Sequence, residues 1–139
     1  MAIGPNRTIT LQPQLTIAGT QTAISDEKLL PPGILTLAIQ GSLVRAGGGT
    51  SVKVYVQTSL DGGASWCDVA CQTFATTTAK KVSALRTSIA LAASYTPTDG
   101  SLADDSIKDG LLGDRIRCKS VITGTYTGAS SITVTAVAN

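Results

Sequence analysis

Apolar and polar residues alternate along most of this sequence, and a period of two is the pattern of β-strands rather than of helices. The alternation is clearest from Ser51 to Leu60, where Val52, Val54 and Val56 fall on one face of an extended chain. Similar segments recur, separated by turns rich in Gly, Pro and Asp. The sequence therefore predicts an all-β protein, an antiparallel β-sandwich or jelly roll of about seven to eight strands. The predicted strands are Thr8–Leu11 with Leu15–Ala18, Ile34–Val44, Ser51–Leu60, Ser65–Phe74, Val82–Tyr95, Arg115–Val121 and Ile132–Val137. Within Val82–Tyr95, the pair Ala84-Leu85 and the run Ala90–Ala93 also fit a helix, and that alternative stays open.

The chain has 139 residues, which is the size of one ordinary domain. Near its start, Pro13 cannot donate a backbone N–H to a sheet, so this segment belongs at a sheet edge or outside the sheet. We therefore expect an extended N-terminal arm over residues 1–14 and a single β-sandwich domain over residues 15–139. Leucine and isoleucine side chains between residues 101 and 113 predict one short helical turn.

Composition excludes several classes of function. Lys and Arg number 11 and Asp and Glu number 9, and a net charge of +2 is too small for a nucleic-acid-binding surface. The sequence has no histidine, which excludes Ser-His-Asp and Cys-His catalysis and histidine metal sites. No apolar run reaches the ~18 residues that span a bilayer, and the first residues lack the apolar core of a signal peptide. We expect no membrane partner and synthesis in a cytoplasm.

The three cysteines are Cys67, Cys71 and Cys118. The first two are four positions apart, which is not the spacing of a zinc knuckle, and no histidine can complete a four-ligand site. We interpret all three as small buried hydrophobic residues. A disulfide between Cys118 and either Cys67 or Cys71 is the alternative in an oxidising environment. No metal and no cofactor are expected.

Four aspartates fall within one short region of the sequence: Asp99, Asp104, Asp105 and Asp109. Their spacing departs from the calcium loop of an EF-hand. Two of them could serve as the acid and base of a glycosidase, whereas the simpler interpretation is that Asp104 or Asp105 caps a short helix. We favour the cap and assign no catalytic residue.

The segment from Ser59 to Trp66 resembles the Asp-box, S-x-D-x-G-x-T-W, with Ser65 in the place of Thr. Asp61 can accept hydrogen bonds from turn amides, Gly63 can adopt positive φ, and Trp66 can pack over the turn. In sialidases and related propellers the Asp-box repeats and lies away from the catalytic centre. We predict a structural hairpin turn built from these five residues, with a sugar-facing loop as the alternative.

A cationic stripe is predicted on one strand. Arg115, Arg117 and Lys119 alternate with Ile116 and Cys118, so the three basic side chains share one face. The stripe could contact an acidic partner surface. It could equally be a solvated face that prevents edge-to-edge pairing of sheets.

The whole chain resembles a class of small virion proteins of tailed bacteriophages. The resemblance is carried by residues 54–63, 95–100 and 109–115, together with Trp66 and Phe74, and by termini that are low in charge and rich in Thr, Ala and Gly. It implies a non-enzymatic particle component, made in the host cytoplasm and located in the virion. It brings no catalytic residues.

The function expected from this resemblance is capsid decoration. A decoration or cement protein would form a homo-oligomer, such as a trimer, and bind the major capsid protein or other virion proteins across the head shell. The same resemblance allows a tail, baseplate or head-tail connector component. A carbohydrate-binding module is a further alternative, although only 4% of the residues are aromatic. A hydrolase that uses the Asp99–Asp109 cluster is the least favoured.

Overall fold

The computed structural model of the protein describes residues 7–87, 91 and 93–139. Within these residues the chain is all-β and contains no helix. Eight of the eleven strands have four residues or more, in agreement with the seven to eight strands expected. The strands are β1 (Arg7–Thr16), β2 (Gln21–Ile24), β3 (Lys28–Leu29), β4 (Thr36–Val44), β5 (Gly47–Gly48), β6 (Ser51–Ser59), β7 (Cys67–Phe74), β8 (Ala79–Arg86), β9 (Arg115–Thr123), β10 (Tyr126–Thr127) and β11 (Ser131–Ala138).

Two antiparallel sheets form the sandwich. The first sheet has the order β1-β11-β4-β8, and the second has the order β2-β9-β6-β7, with β3 also paired to β9. The short strands β5 and β10 form a separate two-stranded ribbon. The predicted β-sandwich is therefore confirmed.

The hydrophobic core lies between the two sheets and is built by the alternation seen in the sequence. Both sheets contribute every second residue of their long strands, and these side chains make one continuous cluster. Fully buried members include Leu11, Leu37, Ile39, Leu43, Val52, Val54, Val56, Val69, Ile116, Cys118, Ile122, Ile132 and Val134.

The segment expected to contain a helical turn is a loop. Residues 101–113 form turns and one isolated bridge, Ile107 to Ala70 of β7, and no helix. Their backbone groups bond outward: the carbonyl of Ser106 accepts from Cys71 N–H at 2.9 Å, and Lys108 N–H donates to the Val69 carbonyl at 2.8 Å. The helical prediction was wrong because the strand edge takes the hydrogen bonds that a helix would need.

The first strand includes most of the expected N-terminal arm. Residues 7–14 lie in β1, paired to β11, and Ile9 and Leu11 are 8% and 0% exposed. Pro13 lies where the register between the two strands is irregular, which is how an edge strand accommodates a proline. The described part of the arm is therefore a strand of the chain's own core, and residues 1–6 lie outside the described residues.

Strand β8 is shorter than the sequence predicted. It ends at Arg86, and Ala84 and Leu85 belong to it, so the helical alternative for these two residues was wrong. The remainder of the predicted strand contains residues 88–90 and 92, which lie outside the described residues.

A buried glutamine fits against a glycine of the opposite sheet. Gln72 of β7 is 2% exposed, and its Nε2 donates to the Lys81 carbonyl at 3.2 Å and to Ser83 Oγ at 3.1 Å. Its Oε1 lies where a side chain on Gly41 of β4 would begin. A side chain at position 41 would force the buried amide of Gln72 to move, because that amide fills the space of a Cβ atom.

Replacement of Gly41 by Ala should therefore destabilise the fold by about 1–3 kcal/mol, the usual cost of overpacking a core. Urea unfolding of G41A and wild type measures this difference. Gly19→Ala is the matched control, because no atom lies within 4 Å of the place that its added Cβ would occupy, and the variant should unfold like wild type. Equal stability of G41A and G19A would contradict the tight contact with Gln72.

Candidate functional site

The Asp-box residues form the turn between β6 and β7. Asp61 Oδ1 accepts from Ser59 Oγ at 2.9 Å and from Ser65 N–H at 2.8 Å, and Oδ2 accepts from Ser65 Oγ at 2.5 Å. Ser59 Oγ also accepts from Gly63 N–H at 2.8 Å, and Gly63 has a φ of 94°. The carboxylate thus closes the turn and ties the two strand ends together.

These hydrogen bonds favour the charged form of the carboxyl group. Donation from Ser65, first from its hydroxyl and then from its backbone, followed by donation from Ser59, lowers the pKa of Asp61 to about 2. The turn therefore needs an ionised Asp61.

Trp66 links this hairpin to the cationic stripe. The guanidinium carbon of Arg117 lies 4.3 Å from the centroid of the Trp66 ring, within cation–π range. Arg117 Nε donates to Gln57 Oε1 at 2.9 Å. One face of the indole is therefore covered by a side chain of the neighbouring strand β9.

The stripe has the predicted arrangement but carries less free charge than the sequence suggested. Arg115, Arg117 and Lys119 share the outer face of β9, while the residues between them are buried. Arg115 Nη1 lies 2.9 Å from Glu27 Oε1, and Lys119 Nζ lies 3.1 Å from Asp99 Oδ1. Only the central arginine forms no ion pair with a described carboxylate.

A buried carboxylate lies on β7, separated from this stripe by β6. Asp68 of β7 is 0% exposed, and Gln57 Nε2 donates to its Oδ1 at 2.8 Å. Its other donors all belong to one loop: Thr98 Oγ1 and the backbone N–H groups of residues 100, 101 and 102, at 2.8–3.1 Å. Asp68 N–H in turn donates to the Thr98 carbonyl at 2.8 Å. This carboxylate attaches the loop to the sheet.

Sequence reasoning did not single out Asp68. The available signal was a charged residue in the middle of an apolar strand, since buried charges in proteins are paired or heavily hydrogen-bonded. The sequence could not supply the donors, which lie about thirty positions away in a loop.

The first two aspartates of the acidic cluster are engaged with basic residues of the second sheet. Asp99 Oδ1 accepts from Gln57 Nε2 at 2.6 Å and from Lys119, and Asp104 Oδ1 lies 2.9 Å from Lys53 Nζ. The hydrogen bond from Gln57 lowers the pKa of Asp99, and that from Lys53 lowers the pKa of Asp104. Both carboxylates are held in the charged form.

The other two aspartates accept hydrogen bonds from backbone N–H groups at the edges of β7 and β8. Asp105 Oδ1 accepts from Thr73 N–H of β7 at 2.9 Å and pairs with Lys81 at 2.8 Å. Asp109 accepts from the backbone N–H and the Nε of Arg86 in β8, at 2.5 and 2.9 Å. The helix-cap interpretation was therefore wrong, because these side chains satisfy edge N–H groups of the two sheets.

The cysteines are three free, buried thiols. Complete burial strongly raises the pKa of Cys118, and burial also raises the pKa of Cys67 and of Cys71. Among the described residues, no group of three or more His, Cys, Asp or Glu side chains is arranged to hold a metal ion. The described part of the chain also has no helix long and apolar enough to cross a membrane.

Comparison with known proteins gives no relative: no family model, no curated protein and no solved structure matches this chain.

Replacement of Asp68 by Asn should destabilise the protein by about 2–3 kcal/mol, because an amide N–H₂ would then face backbone donors in a buried site. Urea unfolding measures the loss, and amide hydrogen exchange should accelerate in residues 98–102. Asp114→Asn is the matched control, since that side chain is 67% exposed and pairs only with Arg115 at 3.4 Å. Equal stability of D68N and D114N would contradict the anchoring role.

The titration of Asp61 should occur near pH 2 instead of near its ordinary value of 3.8. Because folding depresses this pKa, its stabilisation is complete above pH ~4 and is lost as pH falls through ~2. NMR titration of the Asp61 side-chain carbon measures the midpoint, and Ser65→Ala should move it upward by removing the hydroxyl donor. A midpoint near 3.8 in the wild-type protein would contradict the observed turn.

Proposed function

We propose that this chain is a non-enzymatic structural protein of a tailed-bacteriophage virion, which decorates the head shell as a homo-oligomer. The observation that supports this proposal is the outer face of the β1-β11-β4-β8 sheet, which is broad and uncharged at its centre. Such a face suits repeated contact with protein surfaces, because the centres of protein interfaces are depleted in charge.

The uncharged face is built from small and β-branched side chains on four neighbouring strands. At its centre, Gln40 of β4 pairs with Thr135 of β11, and on the other side it pairs with Val82 of the edge strand β8, which is 69% exposed. A depression of about 310 Å³ lies here. Lys80 and Arg86 lie towards the two ends of β8. The face comprises Thr8, Thr10, Ala38, Gln40, Ser42, Val82, Ala84, Thr133, Thr135 and Val137.

The acidic cluster favours a structural role over acid–base chemistry. Each of the four aspartates between residues 99 and 109 has a lowered pKa and pairs with a lysine or an arginine. A general acid near neutral pH needs a raised pKa instead. Their hydrogen bonds hold the loop against strand edges, which is a structural role.

The described aromatic side chains give the carbohydrate alternative little support. A sugar platform needs open aromatic faces, whereas Arg117 covers one face of Trp66, and Tyr55, Phe74 and Tyr126 are buried. The tail, baseplate and connector alternatives share the decoration proposal's binding mechanism. They are distinguished by where the protein binds on the particle.

Val82→Glu should abolish oligomer formation and binding to particles without unfolding the domain, because it places a charge within the uncharged face at an exposed position of β8. Analytical ultracentrifugation measures the oligomer, and co-sedimentation with particles lacking the protein measures binding. Thr123→Glu, at an exposed end of β9, is the matched control and should behave like wild type.

Two results would contradict this proposal. A V82E protein that assembles and co-sediments like T123E would mean that the uncharged face is not the binding surface. Wild-type protein that binds isolated tails but not heads would support the tail alternatives instead.

A further inference from the structure

The two open edges of the sandwich lie on the same side of the molecule. On the opposite side, residues 96–113 bond to the edges of both β7 and β8. On the open side, β1 pairs only with β11, and β2 and β3 pair only with β9. Among the described residues, no backbone hydrogen bond covers the outer edge of Arg7–Thr10. An open strand edge is a template for pairing with another chain.

A groove runs between these two edges. Its walls are Arg7–Thr10 of β1 and Lys28–Leu29 of β3, and its volume is about 520 Å³. The β1 wall is the regular half of that strand, since the register with β11 runs without interruption to Thr10 and becomes irregular only towards Pro13. Leu29 is 68% exposed and gives the other wall an apolar surface. The groove therefore offers unpaired backbone beside an exposed apolar side chain.

The charge of the groove is entirely positive. Arg7 and Lys28 line it, no carboxylate does, and neither cation forms an ion pair with a described residue. Lys53 and Lys81 on the sealed side are each matched to an aspartate. The nearest exposed carboxylates in the sequence are Asp26 and Glu27. Neither is among the groove residues, and Glu27 pairs with Arg115.

We propose that this groove binds an extended acidic segment of a partner protein, which adds as a strand to the open edge of β1. Main-chain hydrogen bonds to alternate residues of Arg7–Thr10 would hold the segment, as in β-strand addition generally. Its acidic side chains would pair with Arg7 and Lys28, and an apolar side chain would pack on Leu29. This proposal goes beyond virion decoration and does not depend on it.

The charges favour an acidic partner over a second copy of this chain. Edge-to-edge pairing of two β1 strands would bring Arg7 and Lys28 of each copy towards the same positive groove, and like charges across an interface oppose binding. A partner with alternating acidic residues removes this repulsion. Self-pairing is therefore an outcome that the experiment must detect.

The experiment uses the full chain and a fluorescent, acetylated heptapeptide that alternates glutamate with valine or threonine. Fluorescence anisotropy should show saturable binding that weakens with added salt. The double variant with Arg7→Glu and Lys28→Glu should bind the acidic peptide at least about tenfold more weakly. It should instead bind the same peptide with lysine in place of glutamate.

Two matched controls separate the groove from charge in general. Lys80→Glu reverses another exposed cation, on β8 at the far edge of the same sheet, and should leave binding unchanged. A peptide N-methylated at alternate residues keeps its charge but lacks the N–H donors of one edge, and should not bind.

Three results would overturn the proposal. Equal binding of the N-methylated peptide would mean that charge alone attracts the ligand. Binding of single-stranded DNA or polyphosphate as tight as that of the acidic peptide would make the groove a general anion site. A concentration-dependent dimer that R7E/K28E strengthens would assign the edge to a second copy. Because this experiment uses no particles, a failure of the groove proposal would not affect the decoration proposal. A failure of the decoration proposal would likewise not affect the groove proposal.

Discussion

The carboxylate of Asp68 is the interaction on which the asymmetry of this sandwich depends. It is fully buried, and it accepts hydrogen bonds from Gln57 of the neighbouring strand and from the loop that begins at Thr98. Hydrogen bonds to a charged group contribute about 1.5–3 kcal/mol each, so several donors can offset the cost of removing the charge from water. The loop is thereby fixed to the outer face of β7.

Fixing that loop determines which strand edges remain open. From its attachment at Asp68 the chain runs along β7 to Asp105 and reaches β8 at Asp109, where carboxylates accept edge N–H groups. One side of the sandwich is closed by the chain itself. The edge of β1 and that of β2 and β3 are left on the other side, next to Arg7 and Lys28, which form no ion pair with a described residue. The covered edges of β7 and β8 cannot pair with the sheets of other molecules. The open edge of β1 can then be selective for one partner.

The strands were predictable because one physical pattern specifies them. Alternation in β4, β9 and β11 follows directly from a sheet with one buried face. In β6, Val52, Val54 and Val56 share the buried inner face, but the residues from Tyr55 to Ser59 are buried on both faces. Strand β7 departs from alternation: nearly all its residues are buried, because the loop covers its outer face. The strand itself was predicted correctly from the sequence, but the loop that covers its outer face was not predicted.

The site was only partly predictable, because its partners are distant in sequence. The Asp61 turn is local, and its donors Ser59 and Ser65 lie within four residues, so the spacing was sufficient to predict it. The stripe of β9 was placed on the correct face. Its neutralisation was not foreseen, because Glu27 lies 88 positions from Arg115 in the sequence. Long-range pairing of this kind is set by the fold and not by local spacing.

The most direct test of the decoration proposal is immunogold electron microscopy of particles from the source of this sequence, with an antibody to the protein. The decoration proposal predicts label over the head in many copies, because an uncharged sheet face that binds a symmetric shell would bind it at many equivalent positions. Label confined to the tail or its tip, or no labelled particle at all, would contradict it.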